Sequence, residues 1–444
     1  MKMTGFSSSV LLVFLLIADF AQSLVAQEVA ANYDEAKVGT YTLPDPLKPT
    51  NGRIVTSVKG WETVRRPELL RLFAENVYGR MPGKPAGLHF RVSSVDSNAL
   101  SGKAIRKLVT VYFTRAADSP QMELLLYLPK NAAAKVPVFT SLNFCGNHCI
   151  TQDANIPLST RWVANNPELG IQNHQATEAS RGQQERRWPL ATLLERGYGV
   201  ATAYYGDLEP DYPEGWQTGI RTTLKADLKI SEPEWGAIGA WAWGMSRILD
   251  YLETDPAVNA RQVVLMGHSR LGKAALWAAA NDPRFAGVIA NESGEGGAAL
   301  ARRWYGETLQ RITTAFPHWF IAQYQTYGED PSKMPVDQHQ LLALIAPRPL
   351  YVASAEEDRW SDPRGEFLGA KGAEPVYQLY QKKGLGVAEM PGVNQPVGET
   401  IHYHIRSGKH DVTDFDWEQY LRFADKHWGK KTGDRRREIE DRIK

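Results

Sequence analysis

A serine sits where a strand-like run breaks into a helix-like one. Residues 263–267 read Val-Val-Leu-Met-Gly, then His268, Ser269, Arg270, Leu271 and Gly272 follow, and Lys273 opens an alanine-rich stretch. The spacing is G-x-S-x-x-G, and small residues on either side suit a sharp turn that lifts a hydroxyl above a sheet edge. Ser269 is therefore a candidate nucleophile, with a capping serine on an ordinary turn as the plainer alternative. A serine hydroxyl is a poor nucleophile at neutral pH. It needs a base, an acid to orient that base, and donors for an oxyanion. His410, in Ser407-Gly-Lys-His410-Asp, is the candidate base because it falls between the last strand-like and the last helix-like segments. His402 and His404 alternate along a strand and read as sheet residues, and His148, His318 and His339 lie elsewhere. The acid stays open between Asp358 and Glu292, each just past an apolar run. The N–H of Arg270 and a donor from the Cys145–His148 loop are the expected oxyanion donors. The Arg270 side chain sets a cation beside the hydroxyl, which suits developing negative charge and a carboxyl-derived substrate group. Two cations in a helix's first turn, Arg270 and Lys273, oppose the helix dipole and need a reason to be there.

The elements that must position these groups alternate along the chain. Residues 66–80 read as a helix ending at Gly79, and the alternating runs from about 88 to 128 suit antiparallel strands. Strands are then expected at 136–143, 198–205, 263–267, 286–291, 349–354 and 399–406. Helices are expected at 190–196, 235–253, 272–281, 338–344 and 416–427. That order implies an α/β fold: a mostly parallel central sheet, begun by an antiparallel hairpin, with helices on both faces. Residues 151–187 and 295–335 interrupt the alternation. Both follow strand ends, so they are read as cleft walls or, equally for 151–187, as surface insertion.

Composition narrows the function classes. With 444 residues and 43% hydrophobic side chains, the chain is long enough for one large α/β domain. A formal charge of +1 gives no footing for a nucleic-acid partner. The 13 tryptophans read either as core residues or as sugar-stacking residues of a cleft. The N-terminus has the pattern of a secretory signal peptide over residues 1–26, whose apolar run from Val10 to Ala18 is too short to span a bilayer. An exported protein is expected, catalytic over 27–428 and ending in a charged tail, 429–444. Two cysteines, Cys145 and Cys149, are too few for a closed zinc site and leave thiols or a tight disulfide open. Neither a metal nor an organic cofactor is expected.

The motifs around Ser269 also carry a resemblance. Gly267-His-Ser-Arg-Leu-Gly-Lys273, Asn143-Phe-Cys-Gly-Asn-His148, Asn291-Glu-Ser-Gly-Glu-Gly-Gly297, the segment 337–348, Trp360 and Gly408-Lys-His410 together resemble carbohydrate esterase family 15, the glucuronoyl esterases, of bacterial type. The resemblance covers roughly residues 60–428. It implies an α/β-hydrolase that cleaves esters between 4-O-methyl-glucuronic acid of glucuronoxylan and lignin alcohols, with Ser269 as nucleophile and His410 as base. Fungal-type members use the glutamate at the Glu292 position, and many bacterial members an aspartate at the Asp358 position. This chain has both. Arg270 would line the oxyanion site, and Lys273, Glu307, Gln310 and Trp360 would bind the uronic sugar. Fungal members carry a disulfide-bonded cysteine where His268 stands, so packing is expected to hold the His410 loop here. A monomer without a membrane span is the expected form. An acetyl xylan or feruloyl-type esterase on the same fold is the alternative enzyme, and an idle carbohydrate-binding protein or a peptidase are more distant ones.

Overall fold

The computed structural model describes residues 31–230 and 234–429. The expected signal peptide, and the charged tail beyond Gly429, lie outside the described residues. Ten strands form one sheet: β1 (His89–Asn98), β2 (Ala104–Tyr112), β3 (Gln121–Pro129), β4 (Val136–Asn143), β5 (Gly199–Tyr204), β6 (Val258–His268), β7 (Gly287–Asn291), β8 (Leu350–Ala355), β9 (Val397–Gly398) and β10 (Ile401–Arg406). Their spatial order is β1-β2-β3-β5-β4-β6-β7-β8-β10-β9. From β5 to β10 every pairing is parallel, whereas β1 to β3 run antiparallel to their neighbours and β9 closes the far edge antiparallel. The sheet thus begins with three antiparallel strands where a hairpin was expected. The strand β1 alternates polar and apolar residues too weakly to be read separately from the run that follows it.

The parallel strands are apolar because both their faces are covered. Every residue of β5, β7 and β8 is buried. One face lies under α1 (Arg66–Phe73), α3 (Ala237–Leu252), α4 (Arg270–Asn281), α5 (Gln338–Ala343) and α6 (Pro363–Gly372), and the other under α2 (Leu190–Glu195) and α7 (Asp414–Trp428). This is the α/β-hydrolase architecture. Each of the 16 residues of α3 is buried, and its two buried charges, Arg247 and Asp250, pair with each other at 2.6 Å. Trp61, Trp235, Trp241, Trp243 and Trp277 are fully buried, and Trp188, Trp319 and Trp417 are buried too, which gives most of the tryptophan enrichment to the core. Helix α6 was not anticipated. Its sequence, Pro-Arg-Gly-Glu-Phe-Leu-Gly-Ala-Lys-Gly, has two interior glycines that weaken any helical signal.

The G-x-S-x-x-G spacing has a local cause. A Cβ on Gly267 would lie 2.1 Å from the Leu271 carbonyl oxygen, and one on Gly272 would lie 2.9 Å from Ser293 Cβ. The end of β6, the start of α4 and the segment after β7 therefore meet at backbone distance. Gly267→Ala is expected to cost about 2 kcal/mol of stability, since backbone must move to admit the methyl. Gly83→Ala, with open space around it, is expected to leave the denaturation midpoint near wild type. Equal midpoints for the two variants would contradict this account of the turn.

Candidate active site

Ser269 joins β6 directly to α4 and adopts φ 56°, ψ −130°, a left-handed conformation that a β-carbon disfavours. The strain is held by its surroundings. The Ser269 N–H donates to the Asn291 carbonyl at 2.9 Å, and its own carbonyl accepts from the Gly272 N–H at 2.8 Å. Glu292, the first residue after β7, is a second non-glycine residue at positive φ, 46°. Two such outliers at adjacent strand ends are the signature of a site whose geometry overrides local preference.

Asp358 follows β8 and His410 follows β10, so four neighbouring parallel strands deliver Ser269, Glu292, Asp358 and His410 to one edge of the sheet. The His410 Nδ1 lies 2.7 Å from Asp358 Oδ2 and 3.0 Å from Glu292 Oε2. Its ring stands 4.5 Å, centroid to centroid, from that of His268, the residue before Ser269. Burial alone would lower the imidazole pKa. The hydrogen bonds and charges of Asp358 and Glu292 outweigh that and raise it to about 9.

The two acids are not equivalent. Glu292 is buried, and its Oε1 also accepts from Arg406 Nη2 at 2.5 Å while its Oε2 accepts from the Asp411 N–H at 2.9 Å. Burial dominates and lifts its pKa to about 7 despite His410 and Arg406. For Asp358, burial would raise the pKa, but His410 and Ser361 donate to the carboxylate and hold it below the usual range. Asp358 thus carries a firm negative charge and the shorter bond to His410, while Glu292 shares its charge with a guanidinium.

As the first residue of α4, Arg270 has an N–H with no intrahelical acceptor. Its guanidinium pairs with Asp211 and lies 4.7, 5.7 and 5.9 Å from the ring centroids of Trp319, Phe316 and Phe144. Asp211, beyond β5, also accepts from His318 Nε2 at 2.8 Å and Trp319 Nε1 at 2.7 Å. Burial would raise the Asp211 pKa, yet these donors and Arg270 hold it near 2. Sequence reasoning did not single out Asp211 or Arg406. Each is recognisable only through partners 59 and 114 residues away. One helical turn along α4, Lys273 is buried, donates to the Ser293 carbonyl at 2.5 Å and lies 3.9 Å from Glu307 Oε2. Burial lowers the Lys273 pKa and raises that of Glu307, each opposed by the other's charge. The Glu307 carboxylate also bonds the Trp360 side chain, and the Trp360 ring is 40% exposed. Gln310 is exposed on the short helix Leu309–Ala315. The remaining histidines serve the fold: His404 bonds Asp416 and Tyr351, His148 bonds Ser180, and His339 bonds the Pro44 carbonyl. Among the described residues, His268, Glu292 and His410 are the one group whose ligand atoms could converge on a cation, all within 4.8 Å. Arg406 and the Asp411 N–H already occupy the Glu292 oxygens, so that donor set is poorly suited to a metal.

A family model described as glucuronyl esterase of fungi matches residues 227–381. A carbohydrate esterase from an unknown prokaryotic organism is 48% identical over 404 residues, 90% of this chain and 93% of the relative. The chain belongs to carbohydrate esterase family 15. A 4-O-methyl-glucuronoyl methylesterase of Schizophyllum commune is 27% identical over 87% of this chain and 84% of its own length. Among solved structures, a glucuronoyl esterase from Solibacter usitatus aligns with a TM-score of 0.84 at 51% identity, covering 89% of this chain and all of that one. A promiscuous family 15 esterase from a marine bacterial metagenome aligns equally well, with a TM-score of 0.84 at 48% identity over 90% of this chain and 100% of its own.

In this family 15 chain the His410 loop is held by more than the packing that was expected. Asp411 pairs with Arg186 and, at 2.6 Å, with Arg187 Nε, both at the end of the 151–187 insertion. The Asp411 carbonyl accepts from Arg406 Nη2 at 2.6 Å, and Trp417 Nε1 donates to the Arg187 carbonyl at 2.8 Å. Cys145 and Cys149 are disulfide-bonded to each other and so cannot tether that loop. The insertion therefore reaches the site rather than lying on a remote surface. Asp411→Ala removes both ion pairs and keeps the backbone N–H that Glu292 accepts. It is expected to speed amide exchange over 407–412 and to lower ester turnover on the order of 10-fold, through kcat more than KM. Arg186→Ala, losing the more exposed partner, is expected to be near wild type. Unchanged exchange in Asp411→Ala would remove the clamp from this account.

Proposed function

We propose that this chain is a serine carboxylic ester hydrolase that cleaves glucuronoyl esters, with 4-O-methyl-glucuronoyl groups of glucuronoxylan esterified to lignin alcohols as its substrate. The observation that carries the reading is the His410 imidazole, bonded through Nδ1 to Asp358 and Glu292 and with its ring 4.5 Å from that of His268, the residue before the strained Ser269. In this mechanism the Ser269 Oγ attacks the ester carbonyl carbon while His410 Nε2 takes its proton. The tetrahedral oxyanion faces the N–H and guanidinium of Arg270, which Asp211 and three aromatic rings hold in place. His410 then protonates the departing alcohol oxygen as its bond to carbon breaks. Water attacks the acyl-enzyme by the same route and releases the uronic acid. Lys273, Glu307, Trp360 and Gln310 are assigned to the sugar that bears the carboxyl group. The linked Lys273–Glu307–Trp360 group next to Arg270 supports this, and so do the names of the relatives. Among the described residues no helix is long and apolar enough to cross a membrane. The N-terminal pattern and the disulfide favour an exported protein, and a monomer is the form we infer for it.

Ser269→Ala is expected to lower turnover of benzyl glucuronate by about 10⁴-fold or more while leaving circular dichroism and the melting curve unchanged. Retained turnover in that variant would remove Ser269 from the mechanism. Wild-type protein that prefers an acetylated xylo-oligosaccharide over benzyl glucuronate would favour the acetyl esterase instead.

The acids are separable by what each loses. Neutral imidazole is the reactive form, and its folded pKa is raised, so kcat/KM should climb with pH and level off near pH 9. Asp358→Ala should lower kcat and move that limb toward neutral pH, because the strongest support of the imidazolium is gone. Glu292→Ala strands Arg406 beside one fewer carboxylate and should chiefly cost stability, about 3 kcal/mol. A larger kcat loss from Glu292→Ala than from Asp358→Ala would reverse the assignment.

A further inference from the structure

Among the described residues the exposed large aromatic side chains are Tyr33, Trp304 and Trp360, at 39%, 36% and 40% exposure, and all three belong to one corner of the molecule. Asn32 Nδ2 donates to the Trp304 carbonyl at 2.7 Å, and the Gly306 N–H donates back to the Asn32 carbonyl at 2.9 Å. The Glu307 N–H donates to the Trp360 carbonyl at 2.8 Å. Arg359 closes the unit: it bonds the Tyr33 carbonyl, donates from Nε to the Tyr305 hydroxyl at 3.1 Å, and sets its guanidinium 5.0 Å from the Tyr33 ring centroid. Three segments far apart in sequence are thus cross-bonded into a rim that displays aromatic rings. The same chain buries five tryptophans completely. Leaving two indoles and a phenol in water at one place forgoes the stabilisation that burial would bring, and such clustered exposure marks a ligand surface.

We propose that Tyr33 and Trp304 form a platform for the neutral pyranose chain that carries the uronate ester, continuing outward from Trp360 and Glu307. The proposal rests on the glucuronoyl reading above. Pyranose rings present C–H faces that stack on aromatic rings and equatorial hydroxyls that need polar partners at the edges. The rim supplies both, with the Arg359 guanidinium among its rings and the Arg364–Glu35 pair beside it. Direction favours the sugar over the alcohol. The platform is bonded to Glu307, which faces Lys273 on the uronate side, whereas the alcohol must depart beside His410 to receive its proton.

The test compares two substrates that share the ester and differ in the chain: benzyl glucuronate, and a benzyl glucuronoyl ester carried on a xylo-oligosaccharide. Trp304→Ala and Tyr33→Ala are each expected to raise KM for the chain-borne ester by about three- to tenfold, the scale of one aromatic contact, and to leave benzyl glucuronate kinetics within twofold. A second measurement needs no turnover. Ser269→Ala should bind an unesterified xylo-oligosaccharide bearing one glucuronic acid, and adding Trp304→Ala should weaken that affinity by a similar factor, read by calorimetry. Parallel losses on both esters would place the rings against the alcohol or in the fold and overturn the proposal. So would unchanged KM and affinity. If wild-type protein hydrolyses neither ester, the hydrolase reading fails by itself, and the calorimetry still decides whether the platform holds sugar.

Discussion

The bond between His410 Nδ1 and the Asp358 carboxylate, 2.7 Å long, is the contact on which the rest of the site depends. In the neutral imidazole it commits the ring's proton to Nδ1 and so leaves Nε2 as the acceptor. The sheet enforces it by register. Strands β8 and β10 pair in parallel up to Ala355 and Arg406, and the pairing continues past the strand ends through Glu356 N–H to the Arg406 carbonyl and Glu357 N–H to the Gly408 carbonyl. Two loops that start level and stay bonded for two further steps carry Asp358 and His410 together. A shift of one residue in either strand would turn its side chains to the opposite face and part the pair.

Around that bond lies a cost that the fold must offset. Charges taken out of water are tolerated only when paired and hydrogen-bonded. Arg406 is 2% exposed and spans Glu292 at 2.5 Å and Asp416 at 2.8 Å, and Asp416 accepts in turn from His404 and from the Thr413 N–H. Asp416 lies in the first turn of α7, so this chain of bonds anchors the helix after the His410 loop as well as Glu292 after β7. Arg406 thereby adds to the difference in burial and donors between the two carboxylates. It pairs with Glu292, whose pKa burial still holds up, while the donors on Asp358 hold that carboxyl below the usual range. Asp211 does the corresponding work for Arg270, whose position at a helix start is unfavourable for a cation unless an anion stands opposite. Lys273 meets the same requirement through Glu307 and the Ser293 carbonyl.

Strands that pack on both sides announce themselves, which is why the limits of β4 could be read from Val136 to Asn143 and those of β5, β7 and β8 to within a residue or so. The turn at Ser269 was equally legible, since Gly267 and Gly272 reflect a close approach that leaves no room for a side chain. The pairing of His410 with carboxylates followed from chain order. The different surroundings of Asp358 and Glu292 did not, because they depend on burial and on Arg406, a residue of another strand whose contact with Glu292 is invisible until the sheet is assembled. Asp211 was hidden for the same reason. The helix Pro363–Gly372 escaped because its stability comes from burying Phe367 and Ala370 against the sheet rather than from intrinsic propensity.

The 151–187 insertion shows how the His410 loop is fixed without a covalent staple. His268 contributes contact: its ring lies against His410 and its Nδ1 is 2.5 Å from Asn291 Oδ1. Burial keeps that ring neutral, with the nearby His410 charge acting in the same direction, so it adds no competing cation beside the base. The remaining restraint is supplied from outside by Arg186 and Arg187 on Asp411. A disulfide restrains a loop at all ionic strengths, whereas an ion-pair clamp with partly exposed partners weakens as salt screens it. The loop's position is therefore coupled to the insertion and to solvent. An enzyme built this way can reshape its cleft by changing the insertion, while the four strand ends and the Asp358–His410 bond stay where the sheet puts them.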